Sequence, residues 1–339
     1  DTAIPRAASL SNSESIDEKY GDRLWQMSSC WNETTDQKKG IIERKTGFRE
    51  ARNTVLQGPL FHVGNPVYKT PRRICNSNKA YDVIDLRQAP DDYVPRSNYG
   101  PAVEEQEYLG LLPRCRWDPT KRHADLYRVA FRKMLALNGE RTLVSTLLAP
   151  SLAHVFTIES CAFREEEHLL NLHALSISLP YDFFVKASGR NDFQSSALTG
   201  LPWAEVDDAA LHRSLRLACL TVKYSDLWNK HAGGLKVLPW SSSDPRLSAE
   251  GPVEGPKNWD RSAGLRTEFG RRMALVEIDV LVAQRLGLTL EQLIEIYQIY
   301  FPTMRKYEGG TWYDHAGKIV WTNNGNGLPG VGWLDDRGK

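Results

Sequence analysis

Arg141-Thr-Leu-Val-Ser-Thr-Leu-Leu-Ala149, closed by Pro150, is a β-rich run, and Ala153 to Ile158 is a second one. Together they predict a strand pair. Immediately upstream, Lys121 to Gly139 carries Leu126, Val129, Ala130, Met134 and Leu137 at helical spacing, with Gly139 as a stop, so a helix is expected there. Arg128, Arg132 and Lys133 fall off its apolar face. Downstream, His168 to Ser178 predicts a buried helix, Tyr181 to Lys186 a strand, and Ala187 to Phe193 a polar loop around Gly189. The combination is a mixed α/β module over residues 111–205.

The character changes after Pro202. Asp207 is a suitable N-cap for a long helix running to about Lys230 and ended by Gly233 and Gly234. Its apolar stripe is Leu211, Leu215, Ala218 and Val222, while Arg216, Lys223 and Lys230 share a polar face. Pro239 to Asn258 reads as a loop and Arg266 to Leu286 as a second long helix. Thr289-Leu-Glu-Gln292 fits a capping box opening a third, which ends near Pro302. Thr311-Trp-Tyr313 and Ile319-Val-Trp321 predict a hairpin across His315-Ala-Gly317. The expected class is therefore α/β (mixed) followed by a mostly helical C-terminal region, 206–339.

On the N-terminal side, residues 58–110 read as an extended linker, rich in Pro, Asn, Asp and Tyr, with one short strand at Tyr81-Asp-Val-Ile-Asp-Leu86. Residues 1–57 form a polar connecting segment. The chain opens on Asp1 without an initiator methionine, which leads to the expectation of a piece cut from a longer protein.

Composition bounds the function classes. Of the 339 residues 41% are hydrophobic and 25% charged, as in ordinary globular proteins of two or three domains. No apolar run approaches the roughly eighteen residues that would cross a bilayer, and Asp1 to Ser15 lacks a signal-peptide core, so a cytoplasmic protein without membrane contact is expected. Cys30, Cys75, Cys115, Cys161 and Cys219 are dispersed without zinc-ligand spacing, which predicts reduced structural thiols and no metal site. The net charge of +1 makes no global case for nucleic acid; the distribution of charge must make it.

Signatures of nucleotide, zinc-protease or serine-hydrolase chemistry are missing. Glu277-Ile-Asp279 is the best stretch for a metal-carboxylate nuclease, but it sits in an apolar helical run. Asn65-Pro-Val-Tyr68 comes near the Asn-Pro-Pro-Tyr motif of amino-methyltransferases, in which the amide and a carbonyl hold the target amine and the aromatic ring stacks on the flipped base. Val67 departs from that motif, and no glycine-rich turn precedes it, so a plain turn is expected and no catalytic residue is assigned.

Basic clusters carry the binding argument. Lys69, Arg72 and Arg73 form one; Arg128, Arg132, Lys133 and Arg141 belong to another. Such side chains hold phosphates, and arginine also reads guanine edges. The loop from Lys186 to Gln194, with Arg190 and Asn191, packs donors and acceptors around Gly189, which suits an exposed loop probing base edges. An ordinary polar turn and a solvated helix face are the alternative readings of these two features.

Several stretches together resemble the C-terminal part of large single-chain restriction-modification and phage-defence methylases carrying a TaqI-like specificity domain. They include Gly64-Asn-Pro-Val-Tyr-Lys-Thr-Pro71, Asp91-Asp-Tyr-Val-Pro-Arg96, Tyr127-Arg-Val-Ala-Phe-Arg132, Asn138-Gly-Glu-Arg-Thr-Leu143, Ser178-Leu-Pro-Tyr-Asp-Phe-Phe184 and Ala197-Leu-Thr-Gly-Leu-Pro202. Arg305-Lys-Tyr-Glu308 and Trp312-Tyr-Asp314 extend the resemblance, which covers about residues 58–333. It implies that residues 111–205 are a target-recognition domain for double-stranded DNA in an adenine-specific methyltransferase. The chain itself lacks methyl-transfer motifs, so the resemblance implies S-adenosylmethionine on a separate catalytic domain or subunit. The alternative class is a non-catalytic assembly subunit of a defence complex, docking a methyltransferase or other partner through its helices and C-terminal aromatics.

Overall fold

In the computed structural model, which describes residues 15–21, 24–48, 54–77 and 80–323, the chain begins with helix α1 (Ile16–Tyr20), strand β1 (Trp25–Ser28) and the single turn α2 (Thr35–Lys38). Strands β2 (Ile42–Phe48), β3 (Val55–Leu56), β4 (Lys69–Pro71), β5 (Tyr81–Val83) and β6 (Ser97–Pro101) follow, then α3 (Glu105–Leu111). Next come β7 (Arg128–Arg132), β8 (Ser145–Leu148), β9 (Ala153–His154) and β10 (Ile158–Phe163), and the helices α4 (Glu166–Ser176), α5 (Leu179–Ala187) and α6 (Ser195–Leu198). The rest is helical: α7 (Asp208–Ala218), α8 (Ser225–His231), α9 (Glu268–Arg285), α10 (Leu290–Tyr300) and α11 (Pro302–Gly309), closed by the hairpin β11 (Trp312–Tyr313) and β12 (Ile319–Trp321).

The central sheet is antiparallel, in the order β1-β10-β7-β8. Partners across the register share a face, so Val129, Phe131, Cys161 and Phe163 look one way and Arg128, Ala130, Arg132 and Ser160 the other. Helix α4 covers the first face, where Ser145 Oγ donates to Ser176 Oγ at 2.9 Å. The second is closed by the turns around Gly58–Leu60 and by the parallel pair β3–β9. Both faces are thus dry, and β10 is buried at every position. One apolar cluster then continues without a break from Ile16 and Trp25 through the sheet and α4 to Ala274, Ile278 and Met304, joining residues on both sides of Pro202.

The mixed α/β class holds, while several elements differ from expectation. Lys121 to Gly139 is not a helix: a 3-10 turn at His123–Asp125 leads into strand β7. With both faces buried, the strand has no polar side to expose an alternation of two, and its apolar residues mimic a helical spacing. Pairing with β10 and β8 decides the outcome. The run Arg141 to Ala149 does contain β8, but β8 pairs with β7, and the second run divides between β9 and β10. Tyr181 to Lys186 is helical, because Ser178 caps α5 by accepting from Tyr181 N, with Pro180 in the first turn and Asp182 beside it.

The long helix expected after Asp207 stops at Ala218, and the chain turns at Val222–Tyr224 before α8. Consequently Arg216 is not on a polar face. It is fully buried and donates to the carbonyls of Glu250, Pro252, Val253, Ser262 and Ala263. The helices expected over His168–Ser178, over Arg266–Leu286 and from Thr289, and the hairpin, fall as expected, with the reciprocal Thr289–Gln292 capping box of α10 and the Trp312–Trp321 pairing, while α3, α6 and α11 were not anticipated.

Residues 58–110 are not a surface linker. Leu60, Phe61, Val63, Val67, Ile84 and Leu86 are buried, and guanidinium groups take up the irregular carbonyls this creates. Arg132 Nε donates to Gly58 O at 2.7 Å and its Nη2 to Phe61 O. Arg266 Nη1 reaches Leu86 O at 2.9 Å; Arg261 reaches Arg87 O and Ala89 O at 2.6 and 2.8 Å. Arg271 joins Gly64 O (2.9 Å), Leu217 O (2.9 Å) and Leu265 O (3.0 Å). Gly64 itself is left-handed at φ 61°, and a Cβ there would lie 3.3 Å from the Leu217 side chain, so a larger residue would be strained and would press on that neighbour.

Replacing Arg271 by Met leaves those three buried carbonyls without their donor. At about 1–3 kcal/mol for each orphaned group, unfolding free energy should fall by roughly 3 kcal/mol or more. A urea titration reads this directly, and an unchanged midpoint would contradict the role given to the guanidinium.

Candidate nucleic-acid interface

The expected phosphate contacts separate into buried and exposed sets. Arg128, on the inner side of β7, is fully buried; its Nε donates to Leu126 O at 3.2 Å and its Nη2 to Leu152 O. Arg141 lies 2.8 Å from Asp182 and donates to Ile177 O at 2.7 Å, both partners being out of solvent. Lys133 is buried, with Nζ 3.2 Å from Glu159 and 3.1 Å from the centroid of the Phe156 ring. The expectation that Arg128, Lys133 and Arg141 face phosphates is therefore corrected: all three are buried, Lys133 and Arg141 opposite carboxylates and Arg128 against backbone carbonyls. Arg132 lines a surface cleft, with Nε and Nη2 already committed to carbonyls and its pKa drawn down by desolvation to about 10.

Lys69 is half-buried over the Tyr68 ring, 5.0 Å from its centroid, and desolvation lowers its pKa. Lys186 is half-buried too, 4.9 Å from the Phe301 ring centroid. Arg72 is exposed, though its Nε donates to Asp82 at 2.8 Å, and Arg73 is exposed beside it. Arg190, Asn191 and Gln194 are exposed; of these Arg190 donates to Ser196 Oγ at 3.1 Å.

The loop bearing the last three is held against the end of β7. Leu135 N donates to Asn191 O at 2.9 Å, Phe193 N donates to Lys133 O at 2.7 Å, and Met134 and Asp192 form an antiparallel bridge. Phe193 is fully buried and stacks on Phe131 with centroids 4.5 Å apart. Gly189, at φ 65°, supplies the left-handed turn that starts the loop. A polar loop is thus mounted on the central sheet by backbone bonds and one aromatic anchor, which leaves its side chains open to solvent.

Beside this mount lies a cleft of about 360 Å³, lined by Arg44, Gln57, Tyr81, Tyr99, Arg132 and Met134 among others. Tyr81 is held by its hydroxyl, which donates to Gln57 at 2.7 Å, and Arg44 Nη2 donates to Cys75 O at 3.2 Å, bracing the turn that carries Arg72 and Arg73. A second cleft of about 380 Å³, on the α5–α6 side, takes Arg190 into its lining with Phe183 and Phe184. Sequence reasoning missed Arg44, Met134 and the two tyrosines. Met134 was legible in principle: read as a strand, Ala130, Arg132 and Met134 share one side.

The near-motif Asn65-Pro-Val-Tyr68 is an Asx turn, with Asn65 Oδ1 accepting from Val67 N at 2.9 Å. Tyr68 packs on His62, and burial raises its hydroxyl to about 12. The two carboxylates singled out as a nuclease alternative serve different partners: Glu277 pairs with Arg213, while Asp279 accepts from Leu179 N at 2.6 Å. Among the described residues no group of three or more His, Cys, Asp or Glu is placed to hold a metal ion, and no helix is long and apolar enough to cross a membrane. No family model matches the chain, and no curated protein matches it.

Asp279 ties α9 to the start of α5, the helix that leads into the loop. Its burial raises its pKa to about 6, against the roughly 3.9 of a free aspartate. Between those values the folded protein keeps a proton that the unfolded chain releases, so stability should decline as pH rises from about 4 to about 6 and level off above. Asp279→Asn should flatten that part of the profile; unfolding titrations at several pH values check it, and an unaltered slope would exclude Asp279 as its source.

Proposed function

We propose that this chain is the sequence-reading part of a bacterial adenine-N6 DNA methyltransferase from a restriction-modification or phage-defence system, acting on double-stranded DNA in the cytoplasm. The observation that carries the reading is the mounting of the loop Ser188–Gln194, which follows α5, on the end of strand β7. Base readout requires polar side chains on a backbone that does not reorganise on contact, and hydrogen bonds from Leu135 and Phe193 supply that stiffness. In this reading Arg190, Asn191 and Gln194 meet base edges. Arg44, which lines the cleft, and Arg72 and Arg73, just before the turn that lines it, meet phosphates and fix the register. The resemblance of residues 58–333 to methylase specificity regions supplies the chemistry served. S-adenosylmethionine and the methyl-transfer step belong to a catalytic domain or subunit elsewhere.

A second reading is favoured by one specific observation. Trp312 and Trp321, directly paired in the C-terminal hairpin, are 67% and 64% exposed, and Leu290 and Ile294 lie exposed along one side of α10. Apolar surface of this kind marks protein contacts, so an assembly subunit docking a methyltransferase or another defence protein is the alternative.

Titration of cognate and scrambled duplexes at two salt concentrations separates the two. Alanine at Arg190, Asn191 or Gln194 should reduce the preference for the cognate duplex by about 1–3 kcal/mol per lost bidentate contact. Alanine at Arg44 or Arg73 should weaken both duplexes alike and lower the salt slope by about 0.9. If all five variants bind both duplexes as the wild type does, while a hairpin variant loses partner association, the assembly role replaces DNA reading.

A further inference from the structure

Met134 is 75% exposed, although it follows a strand whose residues are almost all buried. Its backbone has little freedom. Lys133 N donates to Thr157 O at 2.9 Å, Lys133 O accepts from Phe193 N, Leu135 N donates to Asn191 O, and Met134 itself is bridged to Asp192. A long unbranched thioether therefore projects from a fixed point between the polar loop and the cleft. Cys75 and Asn76, from the turn that follows Arg72, Arg73 and the exposed Ile74 (76%), line the same cleft as Met134. Single exposed apolar side chains are common on proteins. What distinguishes this one is its setting: a rigid mount, and an adjacent cavity lined by the guanidinium-bearing Arg44 and Arg132 and by Tyr81 and Tyr99.

We propose that Met134 is a wedge that enters a base step of the bound duplex and unstacks it, so that part of the sequence preference arises from how easily that step opens. The inference rests on the DNA-reading proposal. Apolar side chains inserted between base pairs do this where basic residues hold the flanking phosphates. Methionine suits the task because its flexible, polarisable chain adapts to the faces of different bases. Pyrimidine–purine steps open most readily, so a wedge favours them without any hydrogen bond to their edges. The cleft beneath Met134, at about 360 Å³, lies within the size range of small-ligand sites and gives a displaced base somewhere to go.

The test uses the full chain and duplexes selected by it from a random-sequence library. Bound DNA is treated with permanganate, which oxidises unstacked thymines, and with hydroxylamine, which attacks unstacked cytosines; every base pair contains one or the other. The wild type should give a localised hyperreactive pyrimidine. With protein in saturating excess over the duplex, Met134→Ala should lose it while keeping the wild-type unfolding midpoint, and Met134→Leu should restore it. Arg73→Ala should weaken binding without moving the reactive position. Bound duplex with no hyperreactive pyrimidine, or reactivity that survives in Met134→Ala, overturns the wedge and leaves DNA reading intact. Failure of the wild type to select any duplex overturns DNA reading itself, and the wedge with it.

Discussion

The fold depends on guanidinium groups placed inside it to satisfy backbone carbonyls. A buried carbonyl without a donor costs as much as a lost hydrogen bond, and long irregular segments produce many of them. Here Arg128, Arg132, Arg216, Arg266 and Arg271 each reach two or more carbonyls, often from segments far apart in the chain. The geometry of arginine explains the choice: five N–H donors in one plane fan out to several acceptors at once, which a lysine ammonium on its flexible stem does less well. Desolvation draws several of these groups down to about 10, yet they keep their proton at neutral pH, so the donors persist.

This accounts for how much of the molecule could be read from its sequence. Elements defined by local chemistry are where the residues put them: the capping box of α10, the buried helix α4 and the C-terminal hairpin follow from Thr289 with Gln292, from an apolar run, and from aromatic stretches around a glycine turn. Elements defined by distant partners are not. Residues 128–132 become a strand only because β10 and β8 lie on either side. Helix α5 was legible through Ser178, Pro180 and Asp182, signals that the run of aromatic and β-branched residues after them obscured.

Charge was the least legible property. Arg128, Lys133 and Arg141 look identical in sequence to surface cations, and their clustering suggests a binding face. Each is nevertheless neutralised or hydrogen-bonded in the interior, because neighbours brought by the fold, Glu159 and Asp182 among them, lie opposite. The loop expected over 186–194 fared better, although Lys186 and Ala187 belong to the end of α5. Its composition pointed to exposure, and the backbone bonds that hold it were invisible to side-chain reasoning.

The way the loop is fastened has a consequence over evolutionary time. Its attachments are the amides of Leu135 and Phe193, their carbonyl acceptors, and the buried Phe193 ring. None involves the side chains of Asn191 or Gln194, which project from the mount; Arg190 adds a single exposed bond, to Ser196 Oγ. Mutations at Asn191 and Gln194 are therefore nearly free of the stability penalty that most substitutions incur, those at Arg190 lose only an exposed bond, and all can accumulate or revert independently of the scaffold. A lineage built on this chassis can drift through different surface chemistries while its core stays fixed.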